Sequence, residues 1–357
     1  MRGNYELKDV ISKFIMDYDV NRYGNGHIND TYLIEPKKYI LQRINTEIFK
    51  DADGLMQNIE NVTKFLRKKI ITSGGDPDRE TMTVVRTTDG KPYYRDKNGN
   101  CFRVYKFIDN TKTINSNPSE EEFYNAAKAF GKFQRMLGDY PADTLFEVIP
   151  DFHNTPDRFE KLLEAIDKDI AGRKHLVTEE IDFAKSCKEW VSVVCDGISD
   201  GSIPLRVTHN DTKINNVLFE DKTSEAVCVI DLDTVMPGSM LYDFGDALRI
   251  GAATADEDET DLSKVEFNLR LFESFANGFY EETRSIITDR EKQLLAFSAK
   301  LLTYECGIRF LTDYLNGDTY FKIHRENHNL DRARTQFKLV RDIDSKMEKM
   351  EDIISKL

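Results

Sequence analysis

Five cysteines in 357 residues, with no Cys-x-x-Cys pair among Cys101, Cys187, Cys195, Cys228 and Cys306, offer neither a disulfide framework nor a zinc site. No run of about 20 apolar residues is present to span a bilayer. The opening Met1-Arg2-Gly3-Asn4-Tyr5-Glu6 also lacks the apolar core of a signal peptide, so a cytoplasmic location is expected. Positive charge is short as well: 50 Lys and Arg stand against 63 Asp and Glu, for a formal net charge of −13. A nucleic-acid surface demands clustered Lys and Arg, so this balance points to a small substrate instead. Repeats, low-complexity tracts and linkers are absent too. What remains is a chain longer than one core usually supports, 40% hydrophobic, for which two domains and a cleft between them are expected.

The densest chemistry lies in Thr208-His209-Asn210-Asp211-Thr212-Lys213-Ile214-Asn215-Asn216, followed by Val227-Cys228-Val229-Ile230-Asp231-Leu232-Asp233. Asp211 and Asn216 are five positions apart, the spacing of base and metal-holding Asn in the kinase pattern H-R-D-x-x-x-x-N. Phosphoryl transfer needs one carboxylate to orient and deprotonate the attacking hydroxyl, and separate oxygens to hold Mg2+ against the nucleotide phosphates. Asp211 suits the first role, Asn216 and Asp231 the second. Residues 227–230 read as a short buried strand, so Asp231 should emerge at its end, with Asp233 on the same face two residues later. The competing reading, a turn at Asp211 with solvated acids at 231 and 233, leaves these positions unrelated. Lys213 either helps to neutralise the transferring group or lies on the surface. Asp243-Phe244-Gly245 repeats the magnesium motif of protein kinases, but it follows Asp211 by 32 residues where Asp231 follows by 20. Asp243 is therefore read as the start of a helix that braces the catalytic loop.

Upstream, Gly24 and Gly26 precede an alternating strand, where a bare backbone could approach phosphates, although glycine pairs beside Asn mostly make plain hairpin turns. Residues 39–45 form the next expected strand, the place where kinases carry a phosphate-binding Lys. Gln42 and Arg43 stand there instead, and either could take the role. Residues 53–69 have helical spacing, with Glu60 as an ion-pair partner or a solvated acid. A strand at 81–87, hairpin turns at Asp89-Gly90 and Asn98-Gly99, and a strand at 101–108 follow. The last leads to a hinge at 106–109, whose backbone, Phe107 included, could hold adenine. From Ser119 and Glu122, a capping box, the pattern turns helical, with long amphipathic stretches at 267–280, 289–310 and 331–356. These readings predict an α+β, two-lobed protein-kinase-like fold: a small β-rich lobe over 1–108 and a larger, mainly helical lobe over 109–357.

Several strings resemble one family closely: Gly24-Asn25-Gly26-His27-Ile28-Asn29, Tyr39-Ile40-Leu41-Gln42, residues 208–213 and 230–238, Gly307-Ile308-Arg309 with the residues to Leu315, and Gly317-Asp318-Thr319-Tyr320-Phe321. They are similar to the N-acetylhexosamine 1-kinases of the aminoglycoside phosphotransferase and choline kinase-like superfamily. The resemblance spans nearly the whole chain, and the string from Asp231 to Gly238 is specific to the sugar kinases. It implies phosphorylation by ATP, with Mg2+, of the anomeric hydroxyl of N-acetylglucosamine or N-acetylgalactosamine. It also implies sugar contacts at His27, Asp211, Asp231, Arg309 and Tyr320. By chemistry alone Arg309 is equally a buried Arg paired with Asp313, Tyr320 a core ring and His27 a polar turn residue. His153 also matches, without an implied role, and a structural hydrogen bond is expected of it.

The expected partners are ATP and a small-molecule amino sugar, with no nucleic acid and no membrane, in a monomer or weak dimer. Choline, homoserine, methylthioribose and aminoglycoside kinases share the superfamily. Outside the enzymes, the rival is a catalytically silent nucleotide-binding regulator, which the absent strand lysine permits. A metallohydrolase built on His209, Asp211 and Asp231 would lack the further His ligands such sites use.

Overall fold

The structure, a computed structural model, describes residues 7–14, 19–23, 28–35 and 38–357. Gly24, Gly26 and His27 lie outside the described residues. Alternating apolar residues early in the chain need one face to bury, and they find it in an antiparallel sheet. Helix α1 (Leu7–Ile11) precedes strands β1 (Asp19–Arg22), β2 (Asp30–Glu35) and β3 (Tyr39–Ile44). Helix α2 (Ala52–Thr72), capped where Asp51 accepts the Gly54 N–H at 2.9 Å, and the short α3 (Pro77–Glu80) come next. Strands β4 (Val84–Val85), β5 (Tyr94–Arg95) and β6 (Cys101–Lys106) then complete six strands in the order β1-β2-β3-β6-β4, with β5 also on β6.

Two local expectations need correction here. The strand expected over 81–87 shrinks to β4, and the Asp89-Gly90 turn, closed by Thr87 N–H to Lys91 O at 2.8 Å, joins strands that both pair with β6 rather than with each other. The Asn98-Gly99 turn does make a hairpin, of β5 with β6.

Beyond β7 (Thr111–Lys112) the chain is mostly helical: α4 (Glu120–Met136), α5 (Thr155–Lys168), α6 (Thr178–Ser186) and α7 (Val193–Ser199). The Ser119/Glu122 capping box forms at the head of α4. Four short strands interrupt the helices: β8 (Arg206–Thr208), β9 (Val217–Glu220), β10 (Ala226–Val229) and β11 (Met236–Gly238). Helices α8 (Met240–Gly251), α9 (Leu269–Thr283), α10 (Asp289–Leu315) and α11 (His328–Ser355) complete the fold. β7, β9 and β10 make one ribbon, β8 and β11 another in which Met236 faces Thr208. This pairing lays the loop after β8 beside the loop before β11.

One core gathers Phe123, Phe130, Phe244, Phe272, Phe275 and Phe279 between α4, α8 and α9. A second runs from the sheet through α2 to Phe133, Val207, Leu232 and Val235, so the face that α2 buries is shared by the sheet, by β8 and by the loop after β10. Each buried aromatic contributes on the order of 1.5–3 kcal/mol. All five cysteines are unpaired, and among the described residues no helix is long and apolar enough to cross a membrane.

Helix α8 approaches α10 so closely that a Cβ on Gly245 would collide with the Ser298 backbone carbonyl. Gly245→Ala is therefore expected to destabilise the protein by about 1–3 kcal/mol and to lower turnover, because α8 cannot yield without moving Asp243 and Asp246. Urea unfolding and steady-state rates check both; unchanged values for the variant would refute the close-contact argument.

Candidate active site

The loop between β8 and β9 has few backbone partners of its own, and buried side chains supply them. Asp243, in the first turn of α8, accepts the N–H of His209 at 3.0 Å and of Asn210 at 2.7 Å, and the Gln134 amide donates to it at 2.6 Å. Burial raises its pKa, while these donors favour the charged form. The Asp-Phe-Gly string thus braces the loop. One turn on, Asp246 accepts the Thr212 N–H at 3.2 Å. Burial alone would raise its pKa, but Arg249, His153 and Lys213 hold it low.

The loop that follows β10 is sewn to the first. Thr234 Oγ1 donates to His209 O at 2.7 Å, and Asn210 Nδ2 to Thr234 O at 2.8 Å. His209 Nδ1 accepts the Asp211 N–H at 3.3 Å, which leaves the ring proton on Nε2 to be donated to Ile230 O at 2.9 Å. Asn210 and Asp231 both have left-handed backbones, φ 64° and 61°. Non-glycine residues adopt that region at a cost, and here it occurs on the two strands' exits, in the loops that carry Asp211 and Asp231.

Asp211 is gripped from two sides. Lys213 Nζ lies 3.0 Å from Oδ1, and Asn216 Nδ2 donates to Oδ2 at 3.2 Å and to the Asp211 carbonyl at 2.8 Å. Burial alone would lower the Lys213 pKa, but Asp211 first, then Asp246 and Asp231, hold it raised. Asp231 lies two residues beyond the end of β10. Its carboxyl pKa is pushed up to about 7 by burial, then by the charges of Asp233 and Asp211.

Asp233 does not share the Asp231 face. The strand ends at Val229, the chain turns left-handed at Asp231, and residues 232–234 form a 3-10 turn, so the two-residue alternation of a strand no longer applies. Asp233 instead points inward to Arg103 on β6, Nη1 to Oδ1 at 2.5 Å, and accepts from Asn29 at 2.7 Å. Arg103 is 1% exposed. It stands opposite Gln42 in the sheet and donates to the Gln42 amide oxygen from Nε at 3.1 Å and Nη2 at 2.9 Å.

This pairing bears on the missing strand lysine. Arg43 Nε pairs with Asp30 at 2.9 Å and Gln42 is committed to Arg103, so the buried cation of the sheet comes from the neighbouring strand. No sequence signal identified Arg103 beyond its being a charge in the apolar part of a strand. At the hinge, the Phe107 N–H is taken by Lys38 O at 2.9 Å, which leaves its carbonyl and its ring, the latter edge-on to Tyr23. Glu60 is an ion-pair partner, of Arg86 at 2.6 Å.

Arg309 and Tyr320 both pack against Phe321. Asp313 accepts the N–H groups of Thr319, Tyr320 and Phe321 at 2.8–2.9 Å and the Asn329 amide at 2.9 Å, so it is not the partner of Arg309. The Arg309 guanidinium lies over the rings of Phe152 and Phe321. Tyr320 is 64% exposed rather than core. His153 makes the expected structural bond, Nδ1 to Glu305 at 2.8 Å.

The donor set fits a hard divalent cation. Asn216 spends its amide N–H groups on Asp211, and neither its Oδ1 nor the Asp231 carboxylate has a hydrogen-bond partner among the described residues. Among those residues no group of three or more His, Cys, Asp or Glu could hold a metal alone. A cation here would share its shell with nucleotide phosphates, as Mg2+ ordinarily does.

A small antiparallel sheet over a helical body, with a braced Asp-x-x-x-x-Asn loop, defines a phosphotransferase of the protein-kinase-like architecture. Residues 19–274, well over half of the chain, match the phosphotransferase enzyme family, and the protein belongs to it. Among solved structures, an aminoglycoside phosphotransferase from Alicyclobacillus acidocaldarius superposes with TM-score 0.65 at 12% identity, over 100% of this chain and 98% of that one. A microcompartment-associated aminopropanol kinase gives 0.63 at 14%, over 97% and 98%. A spectinomycin phosphotransferase solved with ADP and spectinomycin gives 0.55 at 16%, over 93% of each chain. At such identities the likeness is one of fold.

Proposed function

We propose that the protein transfers the γ-phosphoryl group of ATP to the anomeric C1 hydroxyl of N-acetylglucosamine or N-acetylgalactosamine, giving the sugar 1-phosphate and ADP. The doubly held Asp211 carboxylate carries the transfer: Lys213 and Asn216 fix both oxygens, so one faces a bound hydroxyl in a set direction. As the sugar oxygen bonds to phosphorus and the bond to ADP breaks, Asp211 takes the hydroxyl proton, late in a loose transition state. Mg2+ on Asn216 and Asp231 would neutralise the β- and γ-phosphates. Gly24 and Gly26 would hold the phosphates of ATP and Phe107 its adenine, and the lobes divide at 108/109, after β6. The need for ATP suits a cytoplasmic location.

The sugar assignment is supported by the strings at 230–238 and 307–321, and by an Arg309 with no hydrogen bond or ion pair among the described residues, beside an exposed Tyr320. Such a guanidinium can serve a ring of hydroxyls and an acetamide carbonyl. Hydrogen bonds to a charged group contribute about 1.5–3 kcal/mol, so Arg309→Ala should raise KM for the sugar roughly tenfold to a hundredfold and leave KM for ATP nearly unchanged. Equal losses for both substrates would remove Arg309 from the sugar site.

ADP release with Mg2+ and ATP tests the whole reading against N-acetylglucosamine, N-acetylgalactosamine, glucose, galactose, choline and homoserine, with phosphorus NMR on the product. A 1-phosphate from the N-acetylated pair supports it. A response to an amino alcohol alone leaves a kinase and removes the sugar, and no turnover with any acceptor favours a silent regulator.

A further inference from the structure

Arg158 is the fourth residue of α5, and its Nη2 donates to the Phe152 carbonyl at 3.2 Å. Its Nε is buried without a hydrogen-bond partner. Arg309 approaches the same Phe152 from α10, 5.6 Å from the ring centre, and lies 5.5 Å from the ring of Phe321, which Tyr320 meets edge-on. Two guanidiniums from two helices thus converge on one aromatic residue.

The acids around them are committed elsewhere. Asp157, beside Arg158, pairs with Lys161 at 2.5 Å. Glu305, one turn before Arg309, is held by His153 at 2.8 Å and Thr155 at 2.6 Å. Neither arginine forms an ion pair among the described residues. Burial first, then the charge of Arg309, holds the Arg158 pKa below its usual range. The patch joins the catalytic centre through His153, whose ring lies 5.0 Å from that of Tyr242 on α8, the helix that braces residues 209–212. Half-buried like charges with an orphaned N–H are costly in a resting protein unless a ligand completes them.

We propose that Arg158 and Arg309 form a basic wall of the acceptor site that admits neutral or anionic acceptors and excludes cationic ones, with Arg158 as a specificity-determining residue. This rests on Asp211 as the base and on the Arg309 face as the acceptor site. A cation about 6 Å from one guanidinium, at an effective dielectric of about 20, is disfavoured on the order of a hundredfold.

Initial rates of the full chain with Mg2+ and ATP are measured on three versions of one ring: N-acetylglucosamine, its 6-amino-6-deoxy analogue and its 6-carboxylate. In kcat/KM the carboxylate should match or exceed the parent, and the amine should fall on the order of a hundredfold below it, a gap that narrows in high salt. Arg158→Gln should shrink the parent-to-amine ratio about tenfold and Arg158→Lys should preserve it, since only the charge is at stake. A merely structural Arg158 would slow all three alike with the ratio intact, and that result overturns the proposal, as does an amine used as well as the parent. If N-acetylglucosamine is refused and another neutral acceptor is used, the same comparison is made on that acceptor's amine and carboxylate analogues, and only the sugar assignment falls. A preferred acceptor that is itself a cation, such as choline, overturns both.

Discussion

Asp211→Asn should lower kcat by roughly 10²- to 10⁴-fold, the usual worth of a positioned general base, while ATP still binds. The substitution keeps the shape and the hydrogen bond to Asn216 but gives up the proton acceptor and the charge that Lys213 faces. Folding should scarcely change. The Asp211 side chain is 20% exposed and its Lys213 partner 38%, so their pair is worth less than about 1 kcal/mol. Removing one of the charges that crowd Asp231 works in the opposite direction. Steady-state rates and a thermal melt decide the matter together: an Asn variant with wild-type turnover sinks Asp211 as base, and one that fails to fold shifts the residue to a structural role.

Arg103→Met should cost about 3–5 kcal/mol of stability, because it removes one partner of a buried ion pair and leaves the other charged. Arg103 is 1% exposed, bound to Gln42 and Asp233 and stacked 5.2 Å from the Tyr105 ring, and it also offsets the charge at Asp231. Total stabilities of about 5–15 kcal/mol leave little after such a loss. Turnover should fall with it, since the loop from Asp231 to Thr234 depends on this anchor. Asp233→Asn in the Arg103→Met background should recover part of the loss, with a coupling above about 1 kcal/mol in a double-mutant cycle. Arg103→Lys keeps the charge but not the fork that reaches Gln42 and Asp233 together, so it should fall between wild type and Met. Urea midpoints at constant slope provide the readout. Additive losses for the two single variants would mean that Arg103 and Asp233 do not act as a pair.

How far the site could be read in advance depended on where each side chain finds its partner. Asp211 and Asn216 belong to one loop that closes on itself, so their spacing alone placed them together. Asp243 was legible as a brace, since a helix start offers a carboxylate to nearby N–H groups whatever else packs around it. Asp233 was misplaced for the opposite reason. The left-handed turn at Asp231 accompanies bonds that join Thr234 to His209 and Asn210 of the neighbouring loop, contacts that lie outside the local sequence. Arg103 finds its carboxylate more than a hundred positions away, and a charge among the apolar residues of a strand does not say which partner it has. Arg309 seemed to have Asp313 one turn on, until three backbone N–H groups of the following loop proved to occupy that acid.

The sequence by itself determined the α+β class, the capped helices and the pairing of Asp211 with Asn216, because apolar period, caps and loop motifs act over a few residues. Its one internal spacing, Asp to Asn, already selected phosphoryl transfer. Tertiary structure alone decided that the sheet's buried cation is Arg103, that Asp233 serves it, and that α5 and α10 bring to Phe152 two arginines without an ion pair among the described residues. Those outcomes depend on charges brought together from distant parts of the chain, where burial makes an unmatched charge expensive and so selects the pairing.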